Sequence, residues 1–233
     1  MIPKIIHQIW DGPEDSLPDF FIQLGETWKA YHPTWQYELW DGKRMDSFVI
    51  NNYPNMADIY FNYKYNIQRW DVFRYLLLYK TGGMYVDFDY ECLASFDDYL
   101  AKDKCYFPME PEMHCRSFGK DIYFGNALMI TPPGHLFFES VIAHLQNTSI
   151  AYTANKLRNV LNSTGPLMLT NLYEKYINKT DIHLFSPEQI APWSKKEVQD
   201  YINGIADNEM LAEKLENAIA IHYFWSSWLN NDH

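Results

Sequence analysis

The segment from Ile67 to Lys80 constrains this chain more than any other. Its residues are good helix formers with almost no breakers, and Thr81-Gly82 supplies a stop. Trp70, Val72, Phe73, Tyr75, Leu76, Leu77 and Leu78 make it apolar nearly all round, so the helix it predicts is a buried one. Asp71 and Arg74 nevertheless stand three apart, on one stripe of that helix. Charges taken out of water must be paired or must bind something charged. The pair therefore reads either as an internal ion pair or as a polar stripe that faces a ligand cavity.

Beyond the glycine pair a short apolar run, Gly83-Met84-Tyr85-Val86, ends in Asp87-Phe88-Asp89. Side chains two apart on an extended strand point the same way, so the pattern predicts two carboxylates aimed at one spot. Like charges that close raise each other's pKa unless something positive lies between them. A hard divalent cation shared with a substrate's phosphates is the natural partner. In a chain this rich in aspartate an Asp-x-Asp also arises by chance, as an acidic strand end running into a loop, so context has to decide.

The length of 233 residues suits one domain with a real core, and a hydrophobic fraction of 47% excludes a disordered chain. A net charge of −11 gives no broad attraction for nucleic acid or for an anionic membrane, so a phosphate-bearing ligand would need a local cation. Cys92, Cys105 and Cys115 form no C-x-x-C pair, which argues against a disulfide framework or a zinc site and for a reducing compartment. The opening residues read as a strand entry rather than a secretory signal, and the purest apolar run is far too short to span a bilayer. The expectation is a cytoplasmic protein, with peripheral contact at an inner membrane face left open.

Strands are expected at Lys4–Trp10, Gln36–Trp40, Cys105–Met109, Phe124–Ile130 and Ala218–Tyr223. Helices are expected at about 19–31, 44–51, 67–80, 135–145, 152–161 and 166–177, with a peripheral helical layer from Lys195. This alternation predicts an α/β fold around a mostly parallel central sheet flanked by helices, with ligands beyond the carboxyl ends of its strands. Trp10, Asp87 and Asp89 lie at such ends. His7, inside an apolar strand, reads as a core histidine.

Three blocks together resemble one family, the DXD-containing sugar transferases that include initiating mannosyltransferases and α-1,4-galactosyltransferases, with clostridial glucosylating toxins as distant relatives. The blocks are Ile2 to Trp10, Asp71-Val72-Phe73-Arg74-Tyr75 through Gly82-Gly83-Met84-Tyr85-Val86-Asp87-Phe88-Asp89, and His222 with Ser227-Trp228. Trp70 departs from the pattern, which usually has a small residue before the helix aspartate. The resemblance implies a GT-A-type nucleotide-sugar-binding fold in a single domain over residues 1–233, with the nucleotide part at about 1–92. It also implies a nucleotide-sugar donor (UDP- or GDP-linked), Mn2+ or Mg2+, and transfer of a hexose with retention to a saccharide or lipid-linked oligosaccharide acceptor in polysaccharide, capsule or glycan synthesis. Asp87 and Asp89 would be the metal motif, with His222 or Ser227 completing its shell and Trp228 closing over it. Asp71 and Arg74 would hold the donor sugar or diphosphate, Ile9 and Trp10 the nucleobase, and Asn126 would lie near the transferring sugar. Gln8, Gly83 and Tyr85 fall on the same donor side. The rivals are a non-catalytic carbohydrate- or nucleotide-binding protein, which needs no buried Asp71/Arg74 pair, and a sugar nucleotidyltransferase, which would want a glycine-rich basic loop where only Asp11-Gly12-Pro13 stands.

Overall fold

The computed structural model describes residues 1–13 and 16–225. Its strands are β1 (Ile5–Ile9), β2 (Gln36–Trp40), β3 (Gly83–Val86), β4 (Tyr90–Cys92), β5 (Cys105–Pro108), β6 (Leu128–Thr131), β7 (Ile182–Phe185) and β8 (Ala220–His222). Six of them form one sheet in the order β2-β1-β3-β6-β5-β7. The β1–β2, β1–β3 and β5–β7 pairings are parallel, and β6 alone runs against its neighbours β3 and β5. The mostly parallel α/β sheet expected from the sequence is the one observed. A separate antiparallel ribbon joins β4 to β8 and sets Tyr90 opposite His222.

Both faces of the sheet are covered, and the strands show it residue by residue. Tyr85, Phe107 and Met129 enter the larger core with Phe73, Leu76, Phe138 and Val141, from the Asn66–Thr81 and Leu136–Asn147 helices. Met84, Val86, Tyr106, Leu128 and Ile130 point the other way, into a cluster with Trp28 and Phe96. This period of two along strands buried on both sides is why their sequences are nearly continuous in apolar residues. Val72, Phe73, Tyr75, Leu76, Leu77 and Leu78 have no exposed surface, so the central helix is buried as its composition predicts.

Several boundaries differ from the sequence reading. The strand expected from Phe124 shrinks to Leu128–Thr131, because Phe124 makes only an isolated bridge to Met109 and the chain breaks at Gly125-Asn126. The helix expected from Tyr152 starts at Lys156, where the Asn155 side chain accepts the Arg158 N–H at 2.9 Å and caps it. The short strands β4 and β7 went unseen, since three or four residues carry too little alternation to register.

The Gly82-Gly83 pair is a backbone requirement. Gly82 has φ 66° and ψ −162°, a region essentially confined to glycine, and an added Cβ would lie 2.7 Å from the Pro133 nitrogen. Gly83 has φ 97°, and its Cβ would meet the Ile5 carbonyl at 2.7 Å. Gly82→Ala is expected to lower the unfolding free energy in urea by about 2 kcal/mol or more. Gly119→Ala, where φ is 62° but nothing lies within 4 Å of the added carbon, should cost only about 1 kcal/mol.

Candidate active site

A cavity of about 580 Å³ opens at the carboxyl ends of β1 and β3. Ile9, Trp10, Trp70, Tyr85 and Trp225 are among its apolar walls, and the charged side chains of Asp71, Arg74, Asp87, Asp89, Glu110 and His222 face it. A site of this size, mostly apolar with a few convergent polar groups, suits a small-molecule ligand.

The chain folds to this arrangement in three moves. The central helix carries Asp71 and Arg74 inward, with side chains 4% and 5% exposed. β3 delivers Asp87 one residue past its end. The chain then turns, with the Tyr90 N–H donating to the Asp87 carbonyl at 3.2 Å, and Asp89 follows in that turn. The expectation of a shared strand face is therefore corrected: Asp87 opens and Asp89 lies within a turn between β3 and β4, and the turn rather than the pleat brings them to one cavity.

Arg74 links the acids. Its guanidinium lies 3.6 Å from Asp71 and 3.4 Å from Asp87, donates to the Asn126 carbonyl at 2.9 Å, and stacks over the Tyr85 ring at 4.5 Å. Its buried Nε has no acceptor in the described structure. Burial opposes its charge, but Asp87, Tyr85 and Asp71 outweigh that and hold it cationic. Asp71 accepts from Asn126 Nδ2 at 2.8 Å and from Thr164 Oγ1 at 2.9 Å. Burial nevertheless pushes its carboxyl up to about 6, against the pull of Arg74 and these donors. Asp87 accepts from the Tyr85 hydroxyl, and its pKa is raised by burial and by Asp89 against the opposing charge of Arg74.

Asp89 behaves oppositely. Burial would raise its pKa, but the His222 imidazole 3.5 Å away and the Trp225 N–H at 2.9 Å pull it below the usual range. Burial would lower the pKa of His222, yet Asp89 prevails and raises it, so the two form an ion pair. His222 stacks on Tyr90 at 4.3 Å because β4 and β8 pair those residues directly. Phe224 takes φ 48°, strained for a bulky residue, and the chain there turns to aim the Trp225 N–H at Asp89.

The remaining sequence candidates divide. Ile9, Trp10 and Asn126 line the cavity as expected. Gln8 is fully buried and acts through the backbone, donating to the Val86 carbonyl at 3.3 Å and reaching the Asp87 carbonyl at 3.5 Å. Gly83 is at the far end of β3 from Asp87, where it clears Ile5, so its placement on the donor side is corrected to a backbone role. Ser227 and Trp228 lie outside the described residues. His7 is the core histidine expected: Trp40 Nε1 donates to its Nδ1 at 3.2 Å, its Nε2 faces the Gly82 carbonyl at 3.2 Å, and burial lowers its pKa to about 4. Trp70, the departure from the family pattern, donates to Asp11 Oδ2 at 3.0 Å across the cavity mouth. Glu110 comes from a segment with no motif of its own, whereas Tyr75 lies inside the Asp71-Val72-Phe73-Arg74-Tyr75 block and Thr164 in the Ser163-Thr164-Gly165-Pro166 turn, which reads from sequence as a helix cap that could face an acceptor. As the side chains stand, no three of His, Cys, Asp or Glu among the described residues close around a common point as an ion would require.

Residues 18–106 match the family described as the glycosyltransferase sugar-binding region containing a DXD motif. Inositol phosphoceramide mannosyltransferase 2 of Schizosaccharomyces pombe is 34% identical over 176 residues, covering 76% of this chain and 47% of the relative. Mannosyl phosphorylinositol ceramide synthase SUR1 of Saccharomyces cerevisiae is 30% identical over 176 residues, covering 76% and 43%. The chain thus spans about half the length of these curated relatives. Among solved structures, the PaToxG glycosyltransferase superposes with a TM-score of 0.57 at 17% identity over 77% of this chain and 72% of that one. The UDP-bound glycosyltransferase domain of the YGT toxin gives 0.55 at 9% over 91% and 89%. The GT-A-type fold follows from these likenesses.

The raised pKa of Asp71 has a definite sign in stability. Its contribution is fully present below the unfolded value of 3.8 and is lost as pH rises through about 6. Relative to Asp71→Asn, wild type should therefore lose about 3 kcal/mol of unfolding free energy across that window, read by denaturant titration at several pH values. A flat difference would mean that Asp71 is not desolvated as the fold implies.

Proposed function

We propose that this chain transfers a hexose from a nucleoside-diphosphate sugar to a hydroxyl of a saccharide or lipid-linked acceptor, with retention at the anomeric carbon. The names of its relatives favour mannose as the sugar and a phosphoinositol lipid among the acceptors. The observation that carries the reading is the single cavity in which Arg74 lies between Asp71 and Asp87, with Asp89 beside them.

Asp87 and Asp89 are the carboxylates that would hold a divalent cation, Mn2+ or Mg2+, and His222 would join them only after giving up the proton that pairs it with Asp89. Asp87 is a carboxylate whose pKa is raised by burial and by a second carboxylate, a strain that a cation relieves. Such an ion, when bound, supplies Lewis-acid stabilisation of the departing diphosphate. Arg74 adds a fixed positive centre at the same corner, with an unsatisfied Nε to offer. Asp71, held by Asn126 and Thr164, is preorganised to accept hydrogen bonds from sugar hydroxyls and to favour the oxocarbenium-like ring. No sequence feature marks a covalent nucleophile, so departure and attack on one face of the sugar is the reading we adopt, with the leaving phosphate taking the acceptor's proton. Trp10 meets the edges of Phe21 and Phe88, each at 6.3 Å, and offers an aromatic surface for a base. No helix among the described residues is long and apolar enough to cross a membrane.

The test is a screen of nucleotide sugars, GDP-mannose first, for slow release of free sugar with Mn2+ present. Asp89→Ala should lower kcat at least about 100-fold, or roughly 3 kcal/mol of transition-state stabilisation, and should abolish Mn2+-dependent binding of the nucleoside diphosphate. Undiminished metal-dependent turnover in that variant would refute the assignment.

A further inference from the structure

One carboxylate in the cavity takes part in none of the hydrogen bonds or ion pairs above, although its charge adds to the field that raises the pKa of His222. Glu110 follows β5 and comes from the wall facing the central helix, with its side chain 12% exposed. It is tied to neither Arg74 nor His222. Instead His114 Nδ1 lies 2.8 Å from its Oε2, one helical turn further on, and the His114 ring meets the edge of Phe224 at 5.1 Å. The backbone fixes it as well: the Glu110 N–H donates to the Tyr123 carbonyl at 2.9 Å, and the Gly125 N–H donates to the Pro108 carbonyl at 2.9 Å. Gly125 leaves room for the carboxylate, because a Cβ there would lie 2.7 Å from Glu110 Oε1. No described residue donates to Oε1. Glu110 is thus a held acceptor with one oxygen left open to the cavity, near Asn126, which bonds both Asp71 and Arg74.

We infer that Glu110 Oε1 is the group that receives a hydroxyl of the incoming acceptor ring, a polyol presented as a saccharide or as inositol, and that His114 and Gly125 are its positioning residues. The inference deepens the transferase reading and rests on it for the identity of the other ligand. Asp71 and Asp87 are each paired with Arg74, and Asp89 with His222, whereas Glu110 has an oxygen open beside Asn126 and is set to meet a second substrate. A carboxylate that accepts from a hydroxyl fixes the acceptor's orientation, and losing it acts on transfer rather than on water attack.

The experiment measures the ratio of sugar transfer to sugar hydrolysis, with methyl α-D-mannopyranoside in one arm and myo-inositol in the other. Glu110→Ala should lower that ratio at least about tenfold and raise the acceptor KM, the loss expected for a charged hydrogen bond. The arm in which the fall occurs identifies the source of the hydroxyl. Gly125→Ala, which keeps the charge but crowds Oε1, and His114→Phe, which frees the carboxylate, should each give a smaller fall in the same ratio. An unchanged ratio in Glu110→Ala, or equal loss of transfer and hydrolysis, would overturn the inference. Polyol binding read by quenching of the cavity tryptophans gives a second readout. If wild type turns over no nucleotide sugar, the transferase reading fails, whereas binding retained in Glu110→Ala refutes the role of Glu110 by itself.

Discussion

A guanidinium buried between two carboxylates is the interaction on which the rest of the site depends. Arg74 and Asp71 leave water only because the helix that carries them is wrapped in the larger core. Taking charges from water costs several kcal/mol per ion, and attraction repays it only when geometry and hydrogen bonds are nearly complete. Here Asn126, Thr164 and Tyr85 supply those bonds, each from a different part of the chain. Repayment is still incomplete, since Asp71 and Asp87 remain harder to ionise than free aspartates. The fold holds unrelieved negative charge at the position where a cationic ligand would lower its energy.

The second constraint is the closing ribbon. β8 pairs with β4 rather than joining the main sheet, and this puts His222 on Tyr90 and against Asp89. Tyr223 donates its N–H to the Asp89 carbonyl at 2.8 Å, and Trp225 donates to the carboxylate of the same residue. Phe224 touches His222 on one side and His114 on the other. One short segment therefore contacts both Asp89 and His114, the support of Glu110. Strain at Phe224 is stored where both meet, as strained backbone at functional sites tends to be.

Much of this was readable from residues alone, for physical reasons. Asp71, Arg74, Asp87 and Asp89 sit inside one continuous block whose helix, glycine stop and strand each carry a strong local signal, so their convergence could be foreseen. The reason given for the aspartates was wrong in detail, since a turn and not a strand face unites them. Glu110 could not be found that way, and Thr164 and Gly125 could be read only as part of a helix-cap turn and as the neighbour of Asn126. Their roles come from long-range pairing of β5, β6 and the loops beside them, and no periodicity marks a residue whose partner is 50 or more positions distant, as Thr164 is from Asp71. The ribbon was missed for the same reason: three residues of β4 carry no pattern until β8 returns to pair with them. Gly82 and Gly83 were legible as a stop but not as the close approach to Pro133 and Ile5 that makes them irreplaceable.

The charge of the cavity itself argues for how its ligand must arrive. Asp11, Asp71, Asp87, Asp89 and Glu110 line it, against Arg74 and His222. The protein around it is also acidic, at −11. A pyrophosphate approaching this opening alone meets a negative field in a medium of low dielectric, where each like-charge contact costs more than it does in water. One guanidinium already shared by two carboxylates cannot invert that field. A divalent ion held by Asp87 and Asp89, as we propose, would reverse the sign at that corner and would leave Arg74 to act on the ligand rather than on its neighbours. Glu110, tied to His114 and accommodated by Gly125, adds to that negative field, and in the proposed reading it would meet a neutral hydroxyl rather than the phosphates.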